Sequence, residues 1–200
     1  MKKIAVFASG NGSNFQSLVE AEVEGDLNGH VTILISDRPN AYVIQRAKML
    51  DIPVFYFDPK QYESKKDYET VIIEVLKEFG IDLIVLAGYM RLIGKELLQA
   101  FPNRIINLHP SLLPAFKGKD AIGQAYHYGA RFTGVTVHFV DEGMDTGSIL
   151  LQEVVRIEQE DSVEQLTQRI HDVEHQLLIK AVNIVLDGNY EIINRRVILH

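Results

Sequence analysis

The sequence predicts an α/β fold: a single Rossmann-like, doubly wound sheet, parallel in the N-terminal half and mixed in the C-terminal half. Three observations predict it. Apolar runs without polar alternation are spaced by segments of helical period, a glycine-rich turn follows the first run, and two later apolar runs follow each other with no helical segment between them. Strands that lack alternation are buried on both faces, as in a parallel sheet covered by helices. Two neighbouring runs joined by a loop can pair antiparallel. At 200 residues, one domain of residues 1–200 is expected.

Residues 4–8 (Ile-Ala-Val-Phe-Ala) read as a buried strand, followed by the glycine turn and a helix from about Ser13. Residues 31–35 form a second strand and 42–50 a second helix. Residues 53–56 make a short strand. Tyr68, Val71, Ile72, Val75, Leu76 and Phe79 share one face of a third helix that Gly80 ends. Residues 82–87 form the next strand. In the second half, 104–108 is a strand leading into a proline-rich loop over 110–114, and 121–128 is helical. Residues 133–140 and 148–157 are the two neighbouring strands. Ser162 and Gln165 make a capping box that opens a long amphipathic helix through Val163, Leu166, Ile170, Val173, Leu177, Ala181 and Ile184. Asp187-Gly188-Asn189 stops it, and 190–199 is a terminal strand or hairpin.

Composition narrows the functional classes. A net charge of −7 and a pI near 5.5 argue against a general nucleic-acid binder, which needs a basic face. The chain has no cysteine, which removes disulfides, thiolate zinc sites and a cysteine nucleophile. The apolar run after Lys3 is too short for a signal peptide, and no run is long enough to span a membrane. A cytoplasmic location is the expectation.

Ser9-Gly10-Asn11-Gly12-Ser13-Asn14 joins the first strand to the first helix. A helix N-terminus offers free N–H groups and a partial positive charge, and glycines let an anion approach the backbone. A phosphate cradle at Gly12, Ser13 and Asn14 is the favoured reading. A dinucleotide fingerprint is the rival: Asp37 could imitate its ribose-binding acid, but Phe15 occupies the third glycine position. A plain structural turn is the third. Asn107 and His109 alternate along one strand and so face the same way. They are followed by the acidic loop Asp141-Glu142-Gly143-Met144-Asp145-Thr146-Gly147, whose acids do not fit a calcium loop. His171 through His175 matches a His-x-x-Glu-His pattern, yet a zinc site would lack a clear third ligand, and no metal is expected.

Four segments then become specific: Ser9 to Asn14, Ala87-Gly88-Tyr89-Met90-Arg91, Asn107-Leu108-His109-Pro110-Ser111-Leu112-Leu113-Pro114, and Asp141 to Gly147. Their order and spacing resemble the monofunctional glycinamide ribonucleotide formyltransferases over nearly the whole chain. The resemblance implies transfer of a formyl group from 10-formyltetrahydrofolate, as co-substrate, to the amine of glycinamide ribonucleotide in purine synthesis. It divides the domain into a phosphate-binding half, about 1–100, and a folate-binding and catalytic half, about 101–200. It implies Asn107, His109 and Asp145 as the catalytic set and Gly12, Ser13 and Asn14 as the phosphate site. Glu174 would contact the ribonucleotide. Lys65, Met90, Arg91, Leu92, Ile93, Asn107, Val140 and Asp141 would line the folate pocket. Its partners are those two small molecules, with neither nucleic acid nor membrane, and it leaves a homodimer open. The chain departs from the family at 116–123, where some members carry histidines, and at Ser148, where a proline is common. The alternatives are a formyltetrahydrofolate hydrolase, expected to carry a further N-terminal domain, and a non-enzymatic nucleotide-binding module. An initiator-tRNA formyltransferase would be expected to add a C-terminal domain.

Overall fold

In the computed structural model, which describes residues 1–200, alternate residues of the first strand enter two different cores. In β1 (Lys2–Phe7), Ile4 and Val6 join one cluster while Ala5 and Phe7 join the other. This is the geometry of a sheet covered on both sides. The larger core packs α1 (Ser13–Glu24), α2 (Tyr42–Met49) and α6 (Val163–Asp187) on one face. The smaller packs α3 (Lys65–Phe79) and α4 (Lys95–Ala100) on the other. Fully burying a side chain such as Phe7 stabilises the fold by roughly 1.5–3 kcal/mol.

The remaining strands are β2 (Gly29–Ser36), β3 (Val54–Tyr56), β4 (Leu83–Leu86), β5 (Ile105–His109), β6 (Phe132–Phe139) and β7 (Ile149–Arg156). They form one seven-stranded sheet in the order β3-β2-β1-β4-β5-β6-β7. Pairing is parallel from β3 to β5 and antiparallel for β5–β6 and β6–β7. The predicted change from parallel to mixed therefore falls at β5. Helix α5 (Ala121–Tyr128) matches its expected span. The capping box of α6 is complete: Gln165 N donates to Ser162 Oγ and Ser162 N to Gln165 Oε1. The C-terminal segment is a hairpin, β8 (Tyr190–Ile193) with β9 (Arg196–Leu199). Helix α4 and a 3-10 turn at Pro59–Gln61 lack a counterpart in the sequence reading, because elements this short display no helical period.

The order β1-β4-β5 sets the functional geography. In an open α/β sheet, ligands bind beyond the carboxyl ends of the strands, where the winding reverses. Here that point lies between β1 and β4. The loop after β1, the segment after β4 and the end of β5 are consecutive neighbours, spanning roughly 10 Å at the usual strand spacing.

Candidate active site

The glycine loop is shaped from below by α2. Gly12 caps α1 with φ +81, and a Cβ there would stand 2.3 Å from Val43 Cγ2. Val43 N donates to Gly10 O. Arg46 Nε donates to Asn11 O at 2.9 Å, and its Nη2 to Asn11 Oδ1 at 2.8 Å. The opening turn of α1 is left with no side-chain cap on its N–H groups. From above, Asn14 Nδ2 donates to Glu174 Oε2 at 3.0 Å. Glu174 sits buried on α6 and also accepts from His171 Nδ1 at 3.0 Å. That partner raises the His171 pKa above its ordinary value, against the opposing effect of burial. His171 is thus directed at Glu174, and no group of three or more metal-ligating side chains forms around it.

At β5, the alternation that puts Asn107 and His109 on one face also aligns them with β6. Asn107 lies opposite His138, and His109 opposite Thr136. Directly opposed residues on one face are in side-chain contact. Asn107 Nδ2 is 3.1 Å from His138 Nε2. His138 Nδ1 faces Phe139 O at 2.8 Å, a contact only an N–H can make, so in the neutral ring Nε2 accepts from the Asn107 amide. Asp145, held at φ +53, brings its carboxylate into this group. Its Oδ2 lies 3.6 Å from His109 Nδ1, and its Oδ1 3.4 Å from Asn107 Nδ2 and 3.7 Å from His138 Nε2. Gly118 N donates to Oδ2 at 2.8 Å. Burial alone would raise the Asp145 pKa. The Gly118 N–H and the nearby His109 oppose it, and the carboxyl lies below its usual range. His109 is 5% exposed, and its Nε2 is 2.8 Å from Phe116 O. One ring nitrogen thus faces a carbonyl and the other a carboxylate.

The proline-rich loop is anchored by Thr136. Its Oγ1 donates to Ser111 O and accepts from Leu113 N, while Gln152 Nε2 bonds Leu113 O. A cavity of ≈ 260 Å³ adjoins Asp145, lined by Lys117, Ile149 and Arg195 among others. Arg195, in the terminal hairpin, donates to Thr146 O beside it.

The structure therefore joins Asn107, His109 and Asp145 in one cluster, and Gly12, Ser13, Asn14 and Glu174 in another. The remaining residues the resemblance marked are divided. Met90 and Leu92 are half exposed on the segment after β4, while Ile93 is buried in the smaller core. Arg91 pairs with Asp37 at 2.8 Å. Asp141 is occupied in its own turn, accepting from Gly143 N and Thr146 Oγ1. Val140 packs against the smaller core, and Lys65 Nζ is 3.9 Å from Glu69. His138, Thr136, Glu69 and the Gly118 N–H were not anticipated. His138 carried a signal, its period-2 position with Thr136, but only the β5–β6 register gives that signal a partner.

The model of the formyl transferase family matches residues 2–182. The phosphoribosylglycinamide formyltransferase of Bacillus subtilis is 53% identical over 189 residues, covering 94% of this chain and 97% of that one. A glycinamide ribonucleotide transformylase structure from Symbiobacterium toebii superposes with a TM-score of 0.96 at 42% identity, over 100% of this chain and 94% of that one. A formyltetrahydrofolate deformylase from Pseudomonas syringae shares the fold at 26% identity and a TM-score of 0.90, and 65% of its length is covered. With the family model spanning most of the chain and the Bacillus relative matched nearly end to end, the chain belongs to the formyl transferase family, among its phosphoribosylglycinamide formyltransferases.

Proposed function

We propose that the chain transfers the formyl group of 10-formyltetrahydrofolate to the amine of glycinamide ribonucleotide, giving formylglycinamide ribonucleotide and tetrahydrofolate. The observation that carries this reading is the meeting of Asn107, His109 and Asp145 at the end of β5, two strands from an anion loop. The ribonucleotide phosphate would take the free N–H groups at Gly12, Ser13 and Asn14. Glu174, already bonded to Asn14, would take the glycinamide portion. The segment 90–93 would face the folate, with Met90 and Leu92 as its apolar contacts. No covalent enzyme intermediate is required.

The amine lone pair attacks the formyl carbon, and the carbonyl becomes a tetrahedral oxyanion. Asn107 Nδ2 has two protons. His138 takes one at 3.1 Å. The other lies 3.4 Å from Asp145, longer than a normal hydrogen bond, and is the one available to the oxyanion. His109, beside Asp145, would act in its protonated form, donating a second hydrogen bond and then a proton to the departing folate nitrogen as its bond to the formyl carbon breaks. For this, Nε2 exchanges the Phe116 carbonyl for substrate. Asp145 accepts the proton shed by the amine, through water. A cytoplasmic enzyme of purine synthesis fits this reading.

An assay with 10-formyl-5,8-dideazafolate, with and without glycinamide ribonucleotide, tests it. Release of the deformylated folate only when the ribonucleotide is present is the expected result. Equal release without it would make the protein a hydrolase.

A further inference from the structure

Asp37 lies just past β2 at the same sheet edge. It is the acid that could have imitated a ribose ligand, but both of its oxygens are used inside the chain. Oδ1 accepts from Ser9 Oγ at 2.5 Å, and Oδ2 from Arg91 Nε at 2.8 Å. Ser9 Oγ in turn accepts from Met90 N at 2.9 Å, and Ser9 N donates to Gly88 O at 3.0 Å. Asp37 is 5% exposed and Ser9 1%. A carboxylate buried this deeply must be paired and hydrogen-bonded, so its two partners are held firmly.

Ser9 directly precedes the anion loop, and Arg91 is the centre of the segment after β4. We infer that Asp37 is a positioning residue for both substrate subsites: one buried carboxylate fixes the anion loop through Ser9 and segment 88–93 through Arg91, and so sets the separation of the two substrates. The inference rests on the formyl-transfer reading above. Transfer between two bound molecules depends on their alignment, and a misplacement of about 1 Å can cost on the order of 100-fold in rate.

Two other buried or half-buried groups serve one side each, and they supply the contrast. Glu69 Oε1 accepts from Gly94 N at 2.6 Å and so holds only the far end of the segment after β4. Arg46 serves the anion-loop side, through both acceptors of Asn11 and through Gln16 Oε1 in the first turn of α1.

Steady-state kinetics on the full chain, with glycinamide ribonucleotide and 10-formyl-5,8-dideazafolate varied in turn, tests the assignment. Asp37→Leu removes both acceptors at similar volume, and is expected to raise both KM values by about tenfold, the scale of a lost charge-assisted hydrogen bond. Glu69→Leu is expected to raise the folate KM alone, and Arg46→Met the ribonucleotide KM alone. Asp37→Asn should fall between wild type and Asp37→Leu. Its oxygen can still accept from Arg91, and its NH₂ can donate to Ser9 Oγ, which can reverse its role where a guanidinium cannot. A protein that was merely destabilised would lose active fraction without moving either KM. Asp37→Leu with a wild-type circular dichroism spectrum and either KM unchanged overturns the inference. Should that variant not fold, Asp37→Asn decides: both KM values must rise at least about threefold, a modest hydrogen-bond loss, or the inference fails. A wild-type protein that does not formylate the ribonucleotide would instead overturn the functional reading.

Discussion

The proposed anion loop comes from one stretch of chain, Ser9 to Asn14, and offers mainly backbone N–H groups. The proposed catalytic cluster comes from three separate stretches, 107–109, 138 and 141–147, and would work through side chains. The first is fixed locally, by a left-handed glycine and a helix start. The second exists only once β5 and β6 are in register and the loop after β6 has folded back. A backbone site tolerates most side-chain changes except at the glycine. A side-chain cluster is disabled by a single substitution that leaves the fold untouched.

The largest effect is therefore expected in the second region. Asp145→Asn keeps the shape and can still accept from Gly118 N, but it removes the negative charge 3.6 Å from His109. Turnover should fall by about 10²–10⁴-fold, the usual contribution of acid–base catalysis, with the thermal midpoint little changed. The wild-type pH profile carries the same information. Because the Asp145 pKa is lowered in the folded protein, the carboxylate stays ionised through the ordinary carboxylate range, and its part in turnover is lost only as pH falls through the lowered value. Near-normal turnover in Asp145→Asn would remove this residue from the chemistry.

The anion loop should fail in the opposite manner, through stability and one KM. Gly12→Ala puts a Cβ 2.3 Å from Val43 Cγ2 and 3.1 Å from the Val43 backbone, at φ +81. The left-handed backbone costs about 1–2 kcal/mol. Overpacking adds roughly 1–3 kcal/mol. Thermal unfolding should report that loss, and the ribonucleotide KM should rise while the folate KM holds. A variant as stable as wild type would mean that α2 does not press on the loop as described.

The same contrast explains what could be read from the sequence. The glycine loop, the capping box at Ser162 and the strand alternation of Asn107 with His109 depend on neighbours in the chain, and all were legible. So was the change from parallel to antiparallel pairing, because 133–140 and 148–157 have no helical segment between them. His138 was not legible as a partner of Asn107, since their contact depends on a register set 31 residues apart. Asp37 looked like a ligand acid because its distant partners, Ser9 and Arg91, cannot be seen in local sequence. Glu69 and the Gly118 N–H were hidden for the same reason. The assignment of Asp145 came from family resemblance, since a loop with three acids offers no local means of choosing among them.

The smallest effect is expected where the two regions touch. Asn14 of the anion loop and His171 share Glu174 Oε2, each at 3.0 Å. Glu174 raises the His171 pKa, so the folded protein binds that proton more tightly than the unfolded chain does. The stabilising pair is complete below the ordinary histidine pKa and is lost as pH rises through the raised one. Without the charge on the imidazole, Glu174 is held less firmly beside Asn14, and the ribonucleotide KM should climb over that interval. His171 is 40% exposed, so solvent screens the pair, and the climb should stay below about fivefold. Asp172 is the other charge acting on His171, after Glu174. His171→Asn should flatten this pH dependence of KM while leaving kcat near wild type. A KM in that variant that still climbs as in wild type would show that the anion loop and α6 meet at Glu174 without His171 taking part.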